Sequence, residues 1–201
     1  MDIFLLATLI ATGVFVLNAK QQRQRVVLLA SYLGNYQIEK LMENLTEGYL
    51  RALGESDPER REQVWNLLRT TELQLSEQFT RFTADFTRVD AALARVSTLP
   101  LALPYADRWL PSASFDMRQA LAIHAQGIER AVRNESGLSL RDKAYTLSAE
   151  LFLMQHTCHW FCKSRAIASA RLMARHKTPH AQVLASVTPA TRAAYGALLG
   201  G

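Results

Sequence analysis

The sequence predicts an all-α fold: a single N-terminal transmembrane helix continuing into an antiparallel bundle of long helices, with two short C-terminal helices. Three observations carry this. Residues 3–17, IFLLATLIATGVFVL, form an apolar run without a charge. Between Ile38 and Val96 apolar side chains recur at three- and four-residue steps, the period of an amphipathic helix. No segment alternates with period two for long enough to read as a strand.

The chain divides into residues 1–20, a membrane anchor, and residues 21–201, a helical bundle facing the cytoplasm. Its 201 residues, 49% hydrophobic and 20% charged, suit one globular domain with an appendage. A cleavable leader wants a basic start, and Asp2 stands there instead. The nearest cleavage point, after Ala19, has Leu17 where a small residue belongs. Counted from Met1 to Ala19, the segment just reaches the range of roughly 17–25 residues that a spanning helix needs; an interfacial helix and a buried core helix are the alternatives. Lys20, Arg23 and Arg25 follow closely, so the positive-inside rule puts the amino terminus outside and the domain inside. A bacterial inner membrane is the expected address.

Helical periodicity then runs unbroken through Val26–Leu53, and Gly54 stops it. Ser56 and Glu59 have capping-box spacing, with Pro58 suited to a first turn. The helix that follows is expected to reach about Ser97. Leu68, Leu75, Phe82, Val89 and Val96 make one heptad series; Trp65, Phe79, Phe86 and Leu93 make the other, and Glu72 interrupts the seam. Such a repeat implies a neighbour packed nearly parallel or antiparallel, as bundle core or as an intermolecular coiled coil. Thr98–Ser112 carries three prolines and six large apolar residues, which reads as an irregular segment packed on the bundle.

A further helix is expected from Phe115 to Asn134, capped by Ser114, and another from Leu140 to Lys177, started by Ser139. Thr178-Pro179 and Thr188-Pro189 open the two short final helices.

The Leu140–Lys177 stretch holds the residues with chemistry. At 100° per residue Cys158, His159 and Cys162 share one face. Thiolates and imidazoles ligate zinc, and His124 on the preceding helix is the one further histidine within plausible reach. The competing reading is core packing, because paired C-x-x-C knuckles and the C-x-x-C-H of covalent haem are both absent. Core packing is favoured and no cofactor is expected; zinc or non-covalent haem in a redox protein is the alternative. Two cysteines four apart on a helix have Cβ atoms about 5–6 Å apart, beyond the roughly 3.5–4.5 Å of a disulfide. They read as free thiols in a reducing compartment. Glu150, in an apolar stretch, is expected to pair with Lys143 or a buried hydroxyl.

From Ser139 onward eight Lys and Arg face two Asp and Glu, so this third carries +6 and the remainder of the chain −1. Lys163, Arg165, Arg171, Arg175 and Lys177 scatter around the helix, which suits lipid phosphates or a partner better than a nucleic-acid groove. No P-loop, dinucleotide fingerprint, nucleophile elbow or H-E-x-x-H occurs. The expectation is an anchored interaction or scaffold protein, with lipid bound through the first helix and a protein partner or second copy through the bundle.

Overall fold

The computed structural model describes residues 3–200. Met1 and Asp2, which entered the reading of the span and its topology, lie outside the described residues, as does Gly201. The fold is all-α, as the sequence predicts.

Helix α1 (Ile3–Leu33) is followed by α2 (Ile38–Gly54) and α3 (Pro58–Phe86). After them come a one-turn α4 (Ala91–Ala94), β1 (Arg95–Ser97), a one-turn α5 (Ala106–Trp109) and β2 (Ser114–Asp116). Then follow α6 (Met117–Arg133), α7 (Leu140–Cys162), α8 (Arg165–His176), α9 (His180–Ser186) and α10 (Pro189–Gly200). Helices α2, α3, α6 and α7 pack in a ring around the main core. Tyr36–Asp85 and Tyr49–Glu72 contacts run α2 and α3 antiparallel, and His124–Thr157 with Gly127–Glu150 does the same for α6 and α7. The second half of α1 lies on α7 and α3, while α9 and α10 cover α7 and α6.

Several expected boundaries move. The first helix does not run unbroken to Leu53. It stops at Leu33, and the Gly34–Gln37 turn is tied to α3 by Tyr36 Oη donating to Asp85 (2.6 Å) and by Gln37 N–H donating to Gln78 (2.7 Å). Periodicity cannot register such a turn, because apolar residues on both sides keep helical spacing. Asp57, not Ser56, caps α3: its Oδ1 accepts from the Glu59 and Arg60 N–H groups at 2.9 and 3.4 Å, directly before Pro58. The carboxylate at this position also favours the positive helix end.

Helix α3 ends at Phe86 rather than Ser97. Asp90 caps a new turn, and Arg95–Ser97 pairs antiparallel with Ser114–Asp116, Val96 opposite Phe115. These two short strands were not legible as alternation. Val89 and Val96 are buried as their heptad series implies, but outside the helix; Leu93 is 53% exposed and leaves the seam. On the other side of the hairpin, Asp116 takes the capping role expected of Ser114, accepting from Arg118 N–H at 2.9 Å.

The expected Leu140–Lys177 helix is two. It breaks at Lys163–Ser164, where Ser164 Oγ accepts from Ile167 N–H at 3.3 Å and starts α8. Helix α8 folds back along α7, with His176 on Gln155 and Ser169 on His156. Angular positions computed for one straight helix therefore do not hold for Arg165, Arg171, Arg175 and Lys177. Thr188 caps α10 as expected, but Thr178 bonds back to the His176 carbonyl instead of capping α9.

The seam's one polar residue is resolved by tertiary contact. Glu72 is 3% exposed and accepts from Tyr49 Oη at 2.6 Å and from the Lys143 ammonium.

Candidate functional site

Two regions concentrate polar groups: the α6–α7–α10 core and the place where α1 meets the bundle. The first contains most residues that the sequence singled out. His124 is fully buried, its Nε2 2.9 Å from Thr157 Oγ1, which in turn lies 2.9 Å from Tyr195 Oη. Burial alone holds the His124 imidazole at about 3, so it is neutral. Cys158 points into the main core beside the Met154 sulfur, 3.8 Å away, and burial pushes its thiol up. Cys162 is pushed to about 11, chiefly by burial, although Arg25, Lys163 and Arg171 pull the other way. Both cysteines are free. Thiols held up in this way are poor nucleophiles at neutral pH. His159 turns to α8, where its Nδ1 lies 3.2 Å from Arg171 Nη1.

The four metal candidates thus face different neighbours. His124 meets α10, Cys158 and Cys162 meet the core, and His159 meets α8. Among the described residues no three His, Cys, Asp or Glu side chains gather as a metal-binding group.

Glu150 finds a hydroxyl and not Lys143. Its Oε1 accepts from the Thr188 N–H and Oγ1, both at 2.9 Å. Burial raises its pKa, and those hydrogen bonds only partly offset the rise. Gly127 on the facing helix makes room: a Cβ there would collide with the Glu150 carboxylate and the Thr191 hydroxyl. His156, buried, lies 3.1 Å from Ser169 Oγ and 4.3 Å, ring to ring, from His180. Desolvation first, then the neighbouring His180 and Arg165, hold His156 at about 3.

His156, with His124 depressed to the same value, is expected to make the fold acid-sensitive. Unfolded, His156 takes a proton near its ordinary value; folded, it resists down to about 3. Stability is therefore full above roughly pH 6.5 and falls as pH drops toward the folded value. Over the same descent Glu150 works in the opposite sense, so the comparison needs a variant. Between about pH 7.5 and pH 5.5 the unaltered chain is expected to lose about 1.4 kcal/mol more stability than His156→Gln. Urea unfolding at the two pH values measures it, and equal losses would place the titration elsewhere.

The second region was not singled out in the sequence. Directly after the apolar run, one face of α1 presents Asn18, Gln21, Gln22 and Arg25. Asn18 Nδ2 donates to the Ala102 carbonyl at 2.8 Å. Gln21 Oε1 accepts from Tyr105 N–H at 3.2 Å, and its Nε2 donates to Asp107 at 3.3 Å. Gln22 Oε1 accepts from Lys163 Nζ at 3.1 Å. Arg25 donates to the Arg95 carbonyl at 2.7 Å, pairs with buried Asp107 at 3.5 Å and lies over the Phe161 ring. The sequence shows only that Asn18, Gln21, Gln22 and Arg25, at steps of three and four, share one face of the helix.

The basic residues divide accordingly. Lys163 joins this junction, Arg165 covers Trp160, and Arg171 meets His159. Arg175 and Lys177 remain exposed at the far end of α8. Thr98–Ser112 packs only in part: Ala106 and Asp107 are buried, whereas Leu101, Leu103, Trp109 and Leu110 are exposed.

Above the junction nothing in the bundle covers α1. From Ile3 to Leu17 every residue is exposed, Phe4 at 82% and Ile3 at 76%; Asn18 is the first partly covered one. The fold and this junction define an all-α protein with one N-terminal helix long and apolar enough to cross a membrane. Comparison with family models, curated proteins and solved structures finds no match to the chain.

Proposed function

We propose that this chain is a membrane-tethered α-helical interaction protein, its amino terminus outside and its bundle on the cytoplasmic face of a bacterial inner membrane. The observation that carries the reading is the division of α1. Its first half is apolar and uncovered, and its second half is bonded into the bundle through Asn18, Gln21, Gln22 and Arg25. Apolar surface in water costs roughly 25 cal/mol per Å², so an unbroken exposed run of this length favours transfer into lipid. Because one continuous helix joins the two halves, the bundle would be held at a set height from the bilayer. A flexible tether would give no such height.

Orientation rests on Lys20 and Arg23, which stay exposed on the domain side of the run, and on two free thiols that suit a reducing compartment. The interaction role rests on how the buried chemistry is used. Glu72, Glu150, His124 and His156 each make contacts that hold helices together.

Full-length protein is expected to stay in the membrane pellet after carbonate extraction, and alkaline phosphatase fused to the C-terminus is expected to be inactive. Release by carbonate would remove the span. Active phosphatase on a chain that resists carbonate would reverse the orientation and leave the span standing.

A further inference from the structure

We propose that the Pro100–Pro104 loop is a second membrane-contacting element, inserting Leu101 and Leu103 into the headgroup region of the leaflet nearest the bundle. The inference rests on the membrane reading of α1 and adds a contact that the helix alone does not require.

Position comes first. Ala102 accepts from Asn18, so the residues on either side of it stand level with the end of the apolar run. Those neighbours are Leu101, 67% exposed, and Leu103, 52% exposed. From there the chain climbs away from the run, with Tyr105 at Gln21 and Asp107 at Arg25. At about 1.5 Å per residue, Arg25 lies about 10 Å further along α1 than Asn18. The leucines are therefore the part of the loop nearest the bilayer.

The backbone suits that place. The headgroup region is hydrated, so the Leu101, Ala102 and Leu103 N–H groups, which have no partner among the described residues, can bond water and headgroups there, unlike in the hydrocarbon core. Pro100 and Pro104 have no N–H to satisfy. The Pro100, Ala102 and Leu103 carbonyls accept from Ala166 N–H, Asn18 Nδ2 and Ala106 N–H at 3.0, 2.8 and 3.2 Å.

Charge and length point the same way. The only acid in Thr98–Ser112 is Asp107, which is buried against Arg25, while Lys20, Arg23 and Arg108 are exposed nearby. That arrangement attracts anionic headgroups. Residues 3–17 extend only about 22 Å as a helix, against a hydrocarbon core of roughly 30 Å. A short span thins the bilayer locally, which brings headgroups close to the exposed leucines beside Asn18.

The test uses the full chain reconstituted in vesicles of phosphatidylcholine and phosphatidylglycerol, with and without brominated acyl chains. Leu101→Trp is placed in a Trp109→Phe background, and that background alone supplies the baseline from buried Trp65 and Trp160. Leu103→Trp is made in parallel, so that one misfolded variant does not decide the outcome. The added indole emission is expected to fall by about half or more with brominated lipid and to resist aqueous acrylamide. If the chain resists carbonate but the indole is quenched by acrylamide and not by brominated lipid, the loop lies in water. The inference then fails and the tether stands. Protection from both quenchers would mean that protein covers the loop, which also overturns it. Release by carbonate ends both readings.

Discussion

Replacing Lys143 by alanine is expected to cost about 3–5 kcal/mol, the loss typical of breaking a buried ion pair from one side. For a chain of this size that corresponds to a melting point lower by roughly 6–20 °C. Lys143 is 8% exposed and Glu72 3%, so neither charge has water to fall back on. Once the ammonium is gone, the Glu72 carboxylate keeps only Tyr49 Oη, at 2.6 Å, inside the α2–α3–α7 contact. The phenol is itself shifted upward, first by burial and then by Glu72, so it stays a donor. Thermal melts of the full chain in detergent, followed by circular dichroism, give the loss directly. Replacing both partners, Lys143→Met with Glu72→Leu, separates charge from packing. Because it would leave the buried Tyr49 hydroxyl without its acceptor, Tyr49→Phe is added, and the triple variant is expected to lie near the unaltered chain or up to about 4 kcal/mol above it. A triple variant as unstable as Lys143→Ala would show that the ion pair itself, and not the stranding of one charge, supplies the stability.

Phe82→Ala is expected to cost about 3–5 kcal/mol as well, by a different route. The ring is fully buried, with Phe79, Phe86 and Tyr36 centroids at 5.6, 5.8 and 6.0 Å. Truncation leaves a cavity between α3 and the turn after α1, and rings this size cannot relax to fill it. The same spacing on an exposed seam would serve a coiled coil between copies, and the two readings give opposite results. A Phe82→Ala chain that melts like the parent but loses self-association or a partner would mean that the seam faces outward.

The sequence alone determined the features that depend on neighbours along the chain. An uncharged run at residues 3–17 must form a helix if it leaves water, because only then are its backbone groups satisfied. Leu68, Leu75, Phe79, Phe82 and Phe86 lie on one face by spacing alone, and they are the core of α3. Ser139 and Thr188, with their position before helical residues, start α7 and α10. Free cysteines at Cys158 and Cys162 followed from Cβ separation on a helix.

Tertiary structure decided everything that needs a partner distant in sequence. The break at Gly34–Gln37 is held by Asp85 and Gln78, and the short β1–β2 pair exists only because Arg95–Ser97 meets Ser114–Asp116. Lys143 chose Glu72, 71 residues away, over Glu150, two turns along its own helix. His124 went to Thr157 and Tyr195, away from Cys158 and Cys162, which only a suitable register of the helix hairpin would have brought level with it. The physical reason is common to all of these. Helical period sets which face a residue occupies, but the register between packed helices sets what that face meets. That register follows from the whole core's packing, and no local run of residues carries it.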